Sequence, residues 1–312
     1  MQKKKNIRLL ISLVILILTI TALFVFTNRK INSSIDKNLF QISNLEKIDR
    51  IVLESEKTKT ELKFDGVKWK VNNRFEADNQ MITVLFATLK QTQAKRKVAS
   101  HLQDSLQKEI TTHGTKISCY EGNNLSKEIW CEGNTQKTET YFQLNNDKPY
   151  LVTIPGYRVF IASIFEMPVS DWRDRRVFNF NWQNIKSLEV NFANEPKQSF
   201  KASFQNNFFS IEGIATDTTK LDNFMDALFQ LRVEKFLDST AQKGFQSSER
   251  WKPLIEIKIS DVANQTYPLT IYSLSKENGF LIGKINDEVA WLNPNAVREI
   301  FRKKDYFVQK KN

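Results

Sequence analysis

The most one-sided hydrophobic pattern in the chain runs from residue 9 to 26, LLISLVILILTITALFVF, where Ser12, Thr19 and Thr21 are the sole polar residues. A helix that is apolar on every face does not suit the surface of a soluble domain. The run of 18 residues is close to the roughly 20 needed to cross a bilayer. A cleaved signal peptide would have a shorter apolar region and small residues at a cleavage site. Here Ala22 is followed by Leu-Phe-Val-Phe, and no cysteine lies nearby for lipid attachment. The pattern predicts an uncleaved transmembrane signal anchor over 9–27. Lys3, Lys4, Lys5 and Arg8 precede it, against Arg29 and Lys30 after it. Residues 1–8 are therefore expected in the cytoplasm and the rest of the chain beyond the inner membrane, in the periplasm. Residues 28–38, polar and unpatterned, read as a linker.

Beyond residue 38 the pattern occurs twice, as tandem duplications do. LFQISNLEKIDRIVLES (39–55) matches VFNFNWQNIKSLEVNF (177–192), with Phe40 on Phe178, Ile48 on Ile185, Ile51 on Leu188 and Leu53 on Val190. KTELKFDGVKWKV (59–71) and KQSFKASFQNNFFSI (197–211) alternate as hairpins do. A helix follows each. Asp78 caps the first, with a stripe of Ile82, Leu85, Phe86 and Leu89. Asp217 caps the second, with Leu221, Phe224, Leu228 and Leu231. Both run into basic-apolar segments, KRKVAS (95–100) and EKFLDS (234–239). Further hairpins are predicted at 116–133 and 254–273, then strand pairs about Asn-Asp turns at 141–156 and 279–296. Short helices are expected at 157–165 and 296–301. The expected fold is α+β: an N-terminal transmembrane helix, then two related units of mostly antiparallel sheet with packed helices, at 39–176 and 177–307. A basic tail follows at 308–312.

SDWRDRRVFNF (170–180) stands out for its charges. WRDRRVF (172–178) resembles FRKKDYF (301–307), with Trp172 on Phe301, Arg173 on Arg302 and Phe178 on Phe307. A motif recurring at both unit ends is better explained by architecture than by catalysis. Asp171, Trp172, Arg173, Asp174, Arg175 and Phe178 are the candidate residues for a structural joint or a partner contact, with arginine forks on carboxylates around aromatic anchors.

The net charge of +11 changes the picture less than it suggests. Lys3, Lys4, Lys5, Arg8, Arg29 and Lys30 flank the apolar run, and Arg302, Lys303, Lys304, Lys310 and Lys311 lie beside Asp305 at the C-terminus. The body between carries about +1, which argues against a nucleic-acid footprint. No G-x-G-x-x-G, G-x-x-x-x-G-K-[ST], C-x-x-C or H-E-x-x-H occurs, and His101 and His113 are the two histidines. No cofactor, metal or catalytic set is expected. Glu195, Asp171 and Asp174 are the least ordinary carboxylates for a hydrolase. Trp69, Trp130, Trp172, Trp182, Trp251 and Trp291 could offer stacking surfaces, with core packing the plainer role. Cys119 and Cys131 flank a turn. About five turn residues would bring them opposite for a disulfide, whereas a shorter turn would leave buried free thiols.

The anchor, VKWKVNNRFEAD (67–78), YFQLNNDKPYLVTIPGY (141–157), SDWRDRRVFNF (170–180) and VNFANEPKQSF (190–200) together resemble the DUF4340 family, particularly its Bacteroidetes members. The order and spacing of these segments carries the likeness. Members of that family look like membrane-anchored envelope proteins, some associated with ABC-type export or gliding-motility systems as auxiliary subunits. The resemblance implies a location and a kind of partner, exporter-type membrane subunits, and no catalytic residues. The expected function is a non-enzymatic accessory or scaffold subunit of an envelope complex. The alternative is a periplasmic module binding a glycan or lipid; a carboxylate-dependent hydrolase ranks third.

Overall fold

The computed structural model describes residues 12–23, 35–42, 44–145, 147–179, 182–205, 208–237, 239–246, 251–274 and 279–309. The expected span 9–27 lies partly outside these residues. Its described part, α1 (12–23), is helical. Among the described residues no helix is long and apolar enough to cross a membrane. The chain divides into two compact units, 1–172 and 173–312.

The first unit is built on an antiparallel sheet of nine strands. In chain order it contains β1 (Arg50–Glu54), β2 (Lys59–Phe64), β3 (Trp69–Val71), β4 (Phe75–Glu76), α2 (Asn79–Gln91), β5 (Gln93–Lys97), α3 (Ser100–His113), β6 (Thr115–Glu121), β7 (Asn124–Gly133), β8 (Thr140–Gln143), β9 (Tyr150–Thr153) and α4 (Ala162–Phe165). The strand order is β4-β3-β2-β1-β6-β7-β8-β9-β5. Alternation decides the faces. Ile51, Leu53, Leu62, Ile117, Cys119 and Ile129 enter the core with Ile82, Leu85 and Leu89 of α2. Arg50, Glu54, Glu61, Lys116 and Glu128 stand around an open polar depression elsewhere on the strands. One packed and one wetted face is the usual solution for an antiparallel sheet. As expected, Asp78 caps α2, its Oδ1 accepting the N–H of Gln80 at 2.8 Å and that of Met81 at 3.4 Å.

The second unit repeats the order with β10 (Ile185–Phe192), β11 (Phe200–Gln205), β12 (Phe208–Ile211), α5 (Thr218–Gln230), β13 (Val233–Phe236), α6 (Ser239–Gln246), β14 (Pro253–Asp261), β15 (Thr266–Leu274), β16 (Leu281–Ile285), β17 (Glu288–Leu292) and α7 (Pro294–Ile300). Its sheet reads β12-β11-β10-β14-β15-β16-β17-β13, the first unit's order without β4. Leu221, Phe224 and Leu228 of α5 pack with Leu188, Val190, Ile257, Ile259, Leu269 and Ile271. Asp217 caps α5 by accepting the N–H of Lys220.

The fold departs from the predicted pattern in two respects. Each unit holds a strand and a helix that the pattern does not predict, β5 with α3 and β13 with α6, where basic-apolar segments were expected, and the first unit also gains the short strand β4. The helix expected over 157–165 is formed only at α4, several residues after the chain turns at Pro155 and Gly156, whose φ is +83°.

Candidate functional site

The segment 169–178 is divided between the two units. Val169–Trp172 forms a 3-10 turn, and Trp172 is fully buried in the first core. Its carbonyl accepts the N–H of Asp78, the N-cap of α2, at 2.8 Å. In the second unit the 3-10 turn Lys304–Phe307 ends on a fully buried Phe307, whose carbonyl accepts the N–H of Asp217, the N-cap of α5, at 2.8 Å. Trp172 therefore corresponds to Phe307. The alignment of Trp172 with Phe301 and of Phe178 with Phe307 is corrected: similar charges misled it, whereas burial and backbone pairing set the true register. Phe301 instead packs edge-on to Phe192 at 5.3 Å.

From Arg173 the chain belongs to the second unit. Arg173 is largely buried, with its guanidinium carbon 3.8 Å from the centre of the Phe236 ring and Nη2 donating to Glu288 Oε2 at 2.6 Å. Asp174 takes a fork from Arg176, Nη2 to Oδ2 at 2.6 Å and Nε to Oδ2 at 2.9 Å, and also accepts the Arg176 backbone N–H. The carbonyl of Arg175 accepts the N–H of Val233 at 2.7 Å, and Val177 donates to Leu231. The segment is thus laced along the edge strand β13, and Val177 and Phe178 enter the second core. Asp171 accepts from the hydroxyl of Ser170 at 3.2 Å. These residues anchor the main chain of their respective units, and the fork from Arg176 occupies Asp174, one of the carboxylates weighed for a hydrolase. Glu195, the other carboxylate singled out, is held by Lys303 at 2.6 Å through both oxygens. His101 and His113 both lie on the exposed side of α3. Among the described residues no group of three or more His, Cys, Asp or Glu could hold a metal ion.

Cys119 and Cys131 are free and buried. The hairpin turns through Gly122 and Asn123, which sets Cys119 opposite Lys127 and Cys131 opposite Thr115. The short turn leaves the thiols too far apart along the ladder to bridge. Burial pushes the Cys119 thiol up to about 12 and that of Cys131 well above its ordinary value.

One concavity of the first unit was not read from the sequence. Phe64 and Trp69 face each other across the β2–β3 ladder, rings 5.8 Å apart, and Trp69 meets Phe86 of α2 edge-on at 5.4 Å. With Ile42, Leu45, Ile48 and Ile82 they line a groove of about 850 Å³, with Lys47 and Lys90 at its walls. The same ladder position in the second unit carries Phe204 and Phe209, 5.6 Å apart. The other tryptophans sit elsewhere: Trp182 packs on Phe229, and Trp291 stacks on Phe280.

A family model described as Domain of unknown function (DUF4340) matches residues 69–248, more than half of the chain. The chain belongs to the DUF4340 family. The DUF4340 match begins at Trp69, inside the first unit, and ends just after α6 of the second. It therefore contains Phe86, the segment 169–178 and both N-cap aspartates, and it runs across the division between the units. No curated protein and no solved structure matches the chain.

Proposed function

We propose that this DUF4340 protein is a single-pass, membrane-anchored extracytoplasmic subunit. It serves as a non-enzymatic accessory or scaffold in an envelope complex of the ABC-exporter kind. The observation that supports the anchor best is α1, where Leu13, Ile15, Leu16, Ile17, Leu18, Ile20 and Leu23 are all about half or more exposed. Water does not suit such a surface, and lipid does. The Thr19 and Thr21 hydroxyls donate to carbonyls within the helix, at 2.8 Å to Leu16 and Ile17, as polar groups in hydrocarbon must. A single span provides no transport path, so other chains would supply the channel and the ATPase.

A reporter fused after Asn312 tests the topology: an extracytoplasmic signal is expected, and a cytoplasmic one overturns the anchor reading. Crosslinking in native membranes followed by mild-detergent purification tests the assembly. Co-purifying membrane subunits support it, and recovery of the chain by itself argues for the second reading, a binding module. The Trp69 groove favours that alternative, since its aromatic floor suits the apolar part of a lipid or the face of a sugar.

A further inference from the structure

The edge strand β5 of the first unit carries three consecutive exposed cations, Lys95, Arg96 and Lys97. A sheet edge needs charge, because its unpaired N–H and C=O groups invite another strand, and lysine is the usual deterrent. The second unit shows how little suffices. Its topologically equivalent edge, β13, presents Glu234 and Lys235, one charge of each sign. The start of β13 is covered by Arg175 as the start of β5 is by Lys37, so edge protection asks for fewer cations than β5 carries.

The chain enters the first unit along this same strand. The carbonyl of Lys37 accepts the N–H of Ala94 at 3.2 Å, and the Lys148–Pro149 loop lies at the far end, where Pro149 accepts the N–H of Val98 at 3.3 Å. Lys37 and Lys148 are exposed and add to the margin. Acids are present too: Glu139 is 3.8 Å from Arg96, Asp36 acts on Lys127, and Asp147 precedes Lys148. The five cations still outnumber them.

We propose that this edge, Lys37 with Lys95, Arg96, Lys97 and Lys148, rests on the anionic phospholipid surface of the membrane that anchors the chain. The proposal rests on the anchor reading above. If the span ends at residue 27, the stretch to Lys37 reaches on the order of 30 Å fully extended. The margin that receives the linker is then tethered near the headgroups. Each cation within a Debye length of about 10 Å gains from an anionic surface. No apolar residue on β5 is exposed, so the contact is electrostatic and salt-sensitive. Its consequence is orientation: the first unit would lie with one sheet edge down.

The test uses the full chain in vesicles of zwitterionic phospholipid, alone or mixed with anionic phospholipid. A fluorophore on Ala99→Cys, next to β5, is read by energy transfer to a headgroup acceptor; the native thiols are buried and do not compete. Transfer should rise with anionic lipid and fall back at high salt. The rise should be lost in the Lys95→Gln, Arg96→Gln, Lys97→Gln variant and kept in Lys235→Gln. Equal transfer in both lipid compositions overturns the proposal while leaving the anchor intact. A chain that washes off zwitterionic vesicles in alkaline carbonate overturns the anchor, and this placement with it. If the triple variant misfolds, the salt response of the unsubstituted chain still separates the outcomes.

Discussion

Glu288 holds Arg173 by a 2.6 Å contact while the centre of the Phe236 ring lies 3.8 Å from the guanidinium carbon. The first residue of the second unit is thus bound to β17 and β13 together. A guanidinium can fork and stack at once, which an ammonium cannot. A double-mutant cycle of Arg173→Ala and Glu288→Gln should give a coupling of about 1–2 kcal/mol in urea unfolding. Arg173→Lys should recover only part of the loss. A coupling near zero would mean that the pair is dispensable.

Trp172 and Phe307 close their respective units, and Phe307 does so within an aromatic cluster, 5.0 Å from Phe200 and 5.3 Å from Phe224. Trp172→Ala and Phe307→Ala should each cost about 3–5 kcal/mol, the range for deleting a fully buried aromatic. Limited proteolysis should find the new cleavage sites of Trp172→Ala before residue 173 and those of Phe307→Ala after it. Cleavage spread over both units by either variant would show that they unfold together.

Asp217 accepts the N–H of Lys220, which, with the Lys220 ammonium at 3.2 Å, holds its carboxyl below the ordinary carboxylate value. A depressed folded-state pKa means that the unfolded chain binds the proton more tightly. The stabilisation is therefore complete above the ordinary value of about 3.9 and is lost as pH falls through the lower folded value. Asp217→Asn should lower Tm at neutral pH. The gap from the unsubstituted protein should close as pH falls below about 4. A gap independent of pH would show that the charge contributes nothing.

The two thiols should be silent to an aromatic disulfide reagent in native buffer at pH 8, since burial pushes Cys119 up to about 12 and Cys131 is fully enclosed. Both should react in denaturant. Alkylation under denaturing conditions should give one mass with and without prior reduction; a difference between the two would reveal a bridge.

Much of this architecture is legible in the sequence because it rests on strong local signals. Asp78 and Asp217 precede regular apolar stripes, and the hairpins alternate cleanly. The missed elements lack such signals. Helix α3 buries little besides Gln103 and Ile110, so no apolar stripe announces it. Strand β5 is an edge whose exposed residues are all charged, a pattern that reads as a loop. The segment 171–178 stands out by its charges, yet those charges misplace its counterpart. Charge resemblance draws FRKKDYF beneath WRDRRVF, whereas the fold matches residues by which carbonyl meets which helix cap. The Trp69 groove leaves a readable trace. Phe64 and Trp69 sit symmetrically about the Asp65–Lys68 turn, and Phe204 and Phe209 repeat the arrangement, but cross-strand contact shows only once register is fixed.

Every strand of one sheet lies before Trp172 and every strand of the other after Arg173, and each unit supplies its own closing aromatic and its own capped helix. Nothing has to be rethreaded to add or remove a copy at that seam. A gene built this way could lengthen or shorten in whole modules, and each unit is free to drift in surface chemistry while the bolt that shuts it stays in place.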